Sequence, residues 1–264
     1  MNTKNSFPSP SEYVAKNRAV LRPGEYLILP KENRCPAPQI NARHVDEQVF
    51  VTPKLGAGYV MSELFIQPDG GATIALSRSL EHFFFILEGK LNLNVGKTRQ
   101  ELPQGGFAWI PPHHAIQYST TDNSACRAIW FRRQYKPLPG VDIPQPVFGN
   151  ERDVPAIPEV DINPEKQLIP YSNPGIDMAF NLIVCPPGSY YGLVECHAWE
   201  HAMYMLNGEG ILFLNGNYHH VKEGDFIYIA PFCPEWFGAL GIADQPVQFL
   251  LYWDCNRDYS PEID

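Results

Sequence analysis

The stretch VECHAWEHAMYMLNG, residues 194–208, places Glu195, His197 and His201 within seven positions. Two neutral imidazoles and a carboxylate suit a divalent transition metal, which can polarise a substrate or acidify a bound water. The competing reading is ordinary: a pair of histidines is more often two partly buried polar side chains than a ligand set. On an extended strand side chains alternate, so residues 195, 197 and 201 would share one face. Cys196 would point the other way and is left out of the site. A helical HxxxH protease arrangement does not fit, because Glu195 precedes the first histidine and the Gly/Pro frame is not helical. The remaining histidines carry weaker signals. His113 and His114 follow Pro-Pro in a turn, His219 and His220 sit in a polar loop, and His44 has no informative context.

The elements that must position these groups are strands. The 264 residues include 26 prolines and 20 glycines, with 44% hydrophobic and 12% aromatic residues, enough for a substantial core. Runs such as YVMSELFI, HFFFILEG, LNLNV, ILFLNG, DFIYIAP and VQFLLYW are rich in branched and aromatic residues and stop at turn formers. Helix is expected only in short pieces, for example around Pro10 to Asn17. A net charge of −9 argues against nucleic-acid or anionic-membrane partners. No apolar stretch approaches the roughly 20 residues of a membrane span, and the polar N-terminus lacks a signal core, which predicts a cytoplasmic protein. Six scattered cysteines without a CxxC pair suit reduced thiols.

An internal repeat organises the chain. EHFFFILEGKLNLNVGKTRQELPQGGFAWIPPHHAIQY begins at Glu81, and EHAMYMLNGEGILFLNGNYHHVKEGDFIYIAPFCPEWF begins at Glu200. His82 aligns with His201 and Gly89 with Gly208, 119 positions apart, and Gly106 is matched with Gly224, one fewer. A duplicated all-β unit of this size predicts two fused barrels joined through a Pro-rich connector.

This spacing resembles the two motifs of the cupin family, G-x5-H-x-H-x3/4-E-x6-G and G-x5-P-x-G-x2-H. The resemblance implies an all-β chain of two tandem cupin (jelly-roll) barrels. An arm and a metal-free cupin would span 1–135, a connector 136–175, and a metal-binding cupin 176–264. In the second repeat the ligand positions fall on Glu195, His197 and His201, and counting from Gly224 places the fourth on Glu235. In the first repeat the same positions hold Leu76, Arg78, His82 and Gln117, so that barrel should hold no ion. Two imidazoles and two carboxylates lean toward a hard ion such as Mn2+, with Fe, Co, Ni or Zn as alternatives.

Further segments narrow the likeness. NRAV at 17–20, TPKLGAG at 52–58, RRQYKPLPG at 132–140, ECHAWEH at 195–201 and DCNRD at 254–258 resemble the (S)-ureidoglycine aminohydrolase family. That family is a manganese bicupin of purine (allantoin) degradation that releases ammonia by replacing an α-amino group with hydroxyl. The resemblance implies Glu195 and Glu235 as catalytic carboxylates and a small-molecule substrate in a homo-oligomer. The pattern also departs from the family. Glu235 stands where the family has glutamine, Trp253 where it has lysine, and Leu212 and Phe249 where it has tyrosines. A pocket lined by Met203, Leu212, Trp236, Phe249 and Trp253 predicts a ligand with an apolar part. A cupin of another reaction class (oxygenase, isomerase or lyase) and a non-catalytic binding bicupin remain the alternatives.

Overall fold

The strand Leu80–Glu88 is apolar at nearly every inner position because each of its faces joins a different core. Phe84 and Ile86 pack inside one barrel with Leu64, Leu93 and Trp130. Phe83 and Phe85, one residue out of phase, pack outward with Phe131, Phe180 and Tyr252. The strand Val247–Asp254 repeats this pattern, with Phe249 inside a second barrel and Leu250 and Tyr252 in the shared core. Side-chain alternation thus turns continuous apolar runs into three cores, one per barrel and one between them. The Phe83 and Phe180 rings stack across the junction with centroids 3.7 Å apart.

The computed structural model describes residues 17–121, 124–158, 163–241 and 244–258. Apart from Asn17, the short helix expected at Pro10 to Asn17 lies outside the described residues. Within them the only helical elements are three-residue 3₁₀ turns, at Lys31–Asn33, Pro53–Leu55 and Glu151–Asp153. None is long and apolar enough to cross a membrane. The first barrel is a ten-stranded antiparallel sheet, and the second is built from a seven-stranded and a three-stranded sheet. All six cysteines are free thiols.

Sheet membership crosses the expected segment limits of 135 and 175. The hairpin Val20–Arg22 and Tyr26–Leu29 belongs to the second barrel, where Tyr26–Leu29 pairs with Phe226–Ile229. The connector supplies a strand to each barrel. Val147–Asn150 pairs with Gly106–Ile110, and Glu165–Ile169 pairs with Met178–Cys185. Open sheet edges carry unpaired N–H and C=O groups, and these added strands cover them.

The repeat is more regular than the sequence suggests. Gly105 and Gly224 both have positive φ, +76° and +85°, and donate to the carbonyls of Ile86 and Met205. Both pairs are 119 apart, so Gly224 corresponds to Gly105 rather than Gly106. In strand register, Leu214 faces Glu235 just as Val95 faces Ile116. The first-barrel counterpart of Glu235 is therefore Ile116, not Gln117. The Gly105-Gly106 pair hid this, since either glycine satisfies the motif while only one needs the left-handed conformation.

Candidate metal centre

His201 opens the strand His201–Asn207 and pairs with Trp253 on one side and Ile229 on the other. Its Nδ1 lies 3.0 Å from the Tyr252 carbonyl, to which it donates, leaving the Nε2 lone pair facing the barrel interior. Glu235 opens the strand Glu235–Ala239 in the other sheet. His201 Nε2 is 3.1 Å from Glu235 Oε1 and 3.2 Å from His197 Nε2, and His197 Nε2 is 3.0 Å from Glu235 Oε1. Three acceptor atoms converge at this spacing only if a cation or a proton neutralises them. Ligands at about 2.1 Å in mutual right angles lie about 3.0 Å apart, so the trio fits one face of an octahedral ion. Burial alone would raise the Glu235 carboxyl, but the charges and hydrogen bonds of His201 and His197 pull it down to about 2. Burial alone would lower His201, and the Glu235 carboxylate raises it instead.

Glu195 is placed differently from the expectation of one continuous strand face. Residues 196–200 form a loop, and Glu195 belongs to an isolated bridge in which its N–H and C=O bond the backbone of Glu235 at 2.8 and 2.9 Å. Because the loop breaks the alternation, the tight cluster within 4.8 Å comprises His197, His201 and Glu235, while Glu195 lines the same cavity outside it. Cys196 is exposed, with its thiol directed at the Phe232 carbonyl.

The cavity, about 340 Å3, is also lined by Met203, Leu212, Trp236, Phe249 and Trp253, the five residues singled out in the sequence. Register explains their convergence: His201, Met203 and Met205 lie beside Trp253, Leu251 and Phe249 on the inward face. No lysine or arginine lines the cavity among the described residues. The sequence reading missed Trp199, Tyr171, Glu165 and Asn181, which line it too. Trp199 lies within ECHAWEH, and Asn181 is a lone polar residue inside the apolar run MAFNLIVC, a signal that could have been used. Tyr171 and Glu165 lie in the Pro-rich connector, where nothing pointed inward.

The first-barrel counterparts do not converge. Leu76 is 54% exposed, Arg78 and Gln117 are exposed, and Ile116 is buried. His82 is buried, its Nδ1 accepting the Trp130 indole N–H at 3.2 Å, so it is a satisfied core histidine. His114, His219 and His220 bond the Pro112 carbonyl, the Tyr26 hydroxyl and Glu209, and with His44 and His113 they lie outside the cluster.

No family model matches the chain. (S)-Ureidoglycine aminohydrolase of Escherichia coli (strain K12) is 24% identical over 261 residues, covering 98% of this chain and 99% of that protein. The Arabidopsis thaliana enzyme of that name is 28% identical over 185 residues, which is 69% of this chain and 59% of that protein. This chain is a bicupin that resembles (S)-ureidoglycine aminohydrolase. The crystal structure of Ylba from E. coli superposes with a TM-score of 0.83 at 24% identity, covering 95% of the bicupin and 99% of that chain. Oxalate decarboxylase from Bacillus subtilis, whose Mn(II) centres have been studied, shares the fold at a TM-score of 0.65 and 10% identity, covering 88% and 78%. At 24–29% identity these relatives show a resemblance from which the bicupin diverges over most of its positions.

Proposed function

We propose that the chain is a metal-dependent hydrolase that releases ammonia from a ureido or α-amino compound with an apolar part. The single observation carrying this reading is the convergence of His197 Nε2, His201 Nε2 and Glu235 Oε1 within 3.0–3.2 Å in a cavity lined by apolar side chains. These three residues would hold a divalent ion, with Glu195 completing the set from the same cavity. The two carboxylates favour Mn2+, with Fe, Co, Ni or Zn able to use the same donors. Such an ion supplies Lewis-acid polarisation and acidifies water at neutral pH.

The chain's own residues do the rest. Glu195 is half-buried at the cavity and outside the trio, where it can take a proton from water and return it to the departing amine. Glu235 stays ionised and keeps His201 oriented. Met203, Leu212, Trp236, Phe249 and Trp253 exclude bulk water and hold the apolar part of the substrate. The balance is water plus an α-amino compound giving ammonia and the α-hydroxy compound. We read the protein as a cytoplasmic homo-oligomer acting on a small molecule. The test is ammonia release over a panel of ureido and α-amino compounds, with His197→Ala as control. Release abolished by the substitution supports the reading, and no release from manganese-loaded protein with any member contradicts it.

A second reading has one observation in its favour. Two histidines and one carboxylate on one face also suit non-haem iron(II) oxygenases. Oxygen uptake by iron-loaded protein would select it over hydrolysis.

A further inference from the structure

The wall formed by Glu165–Ile169 and Met178–Cys185 carries two acceptors that the proposed chemistry leaves unused. Glu165 and Asn181 line the cavity of the trio and are 7% and 2% exposed. Asn181 Nδ2 donates to Glu165 Oε2 at 2.9 Å, and Gln167 Nε2 donates to Oε1 at 2.7 Å. The first bond fixes the amide orientation, turning Asn181 Oδ1 away from the carboxylate. That oxygen is buried and accepts no hydrogen bond. A buried carbonyl oxygen without a donor is costly, and it is expected where a ligand brings the donor. The side-chain partners of Glu165 are neutral amides, and no lysine or arginine lines the cavity among the described residues.

The same cavity offers aromatic surface beside these acceptors. Tyr171 and Trp199 flank Trp253, with ring centroids 5.0 and 4.6 Å away. Aromatic faces next to a carboxylate attract organic cations. Formal charge agrees: a divalent ion with Glu195, Glu235 and Glu165 leaves one negative charge, which a monocation neutralises and an anion would double.

We propose that Glu165 and Asn181 form a subsite for an N–H-rich cationic group, an ammonium or amidinium, on an apolar body packed against Tyr171 and Trp253. This rests on reading the cavity as the substrate site and narrows the substrate class to amines and amidines.

Calorimetric titration of the manganese-loaded chain with phenethylamine, benzamidine and 3-phenylpropionate tests it. The two cations should bind about tenfold or more tighter than the carboxylate. Glu165→Gln, isosteric and checked by thermal unfolding, should remove most of that preference. Trp253→Lys should reverse it, and it carries the test if Glu165→Gln does not fold. Equal affinity for cation and carboxylate, or a preference unchanged in both variants, overturns the subsite. Loss of discrimination in a protein that still releases ammonia defeats the subsite alone, whereas cation selectivity without ammonia release upholds it and defeats only the proposed reaction.

Discussion

His201 Nε2 lies 3.1 Å from Glu235 Oε1 although the two residues open strands in different sheets of the second barrel. The pair closes the barrel interior at one point, and His197 reaches that point from the preceding loop. Removing His201 breaks the trio and leaves His197 and Glu235, with Glu195 outside it, as the remaining donors, a set that should no longer retain a divalent ion through purification. His201→Ala is expected to drop metal content from one ion per chain to background, with the β-rich circular dichroism spectrum unchanged. Elemental analysis reads this directly, and wild-type stoichiometry in the variant would count against the trio.

Protons compete with the ion at the imidazoles. Glu235, near a pKa of about 2, remains a carboxylate across the working range, whereas His201 is raised by it. Manganese affinity should therefore fall as pH drops, beginning above the ordinary histidine value of about 6.5. In Glu235→Gln the group that favours protonated His201 is gone, so the limb moves to lower pH even though the ion is held less tightly. Competition with a fluorescent chelator from pH 8 to 5 checks both shifts, and a flat profile would contradict the assignment.

His82 makes a separate prediction about stability. Burial, with Arg132 nearby, lowers its pKa to about 4. Its unfolded value is about 6.5, so between these limits the unfolded chain binds the proton and the folded chain does not. Stability is complete above about 6.5 and is lost as pH falls toward 4, by about 3 kcal/mol from this group. Denaturant unfolding at pH 7 and pH 4 should show this loss in the wild type and a smaller one in His82→Asn. An equal loss in both would show that His82 does not contribute.

The junction between barrels should be expensive to disturb. Phe83 stacks on Phe180 within the shared core and is fully buried. Phe83→Ala is expected to cost about 3–5 kcal/mol of unfolding free energy. A loss below about 1 kcal/mol would mean that the barrels are not held together by this core.

Much of this was legible in the sequence because barrels obey period two. The all-β class, the repeat and the difference between the two copies follow from alternation, turn glycines and residue type at matched positions. Glu195 was misplaced because alternation holds only where a ladder enforces it, and residues 196–200 form a loop. Motif counting lands on Gln117 and misses Ile116 because two adjacent glycines give the motif two registers, and only backbone conformation decides between them. The pairing of the hairpin at 20–29 with the second barrel was not legible, because pairing over some 200 residues leaves no local trace. Glu165 and Tyr171 were missed because a Pro-rich connector reads as solvent-facing until its strand is seen to complete a sheet.

The most direct test is anomalous diffraction at the manganese edge from crystals grown with Mn2+. The account predicts one strong peak per chain about 2.1–2.3 Å from His197 Nε2, His201 Nε2 and Glu235 Oε1, and none beside His82. No peak at that point, or a peak in the first barrel instead, would contradict it.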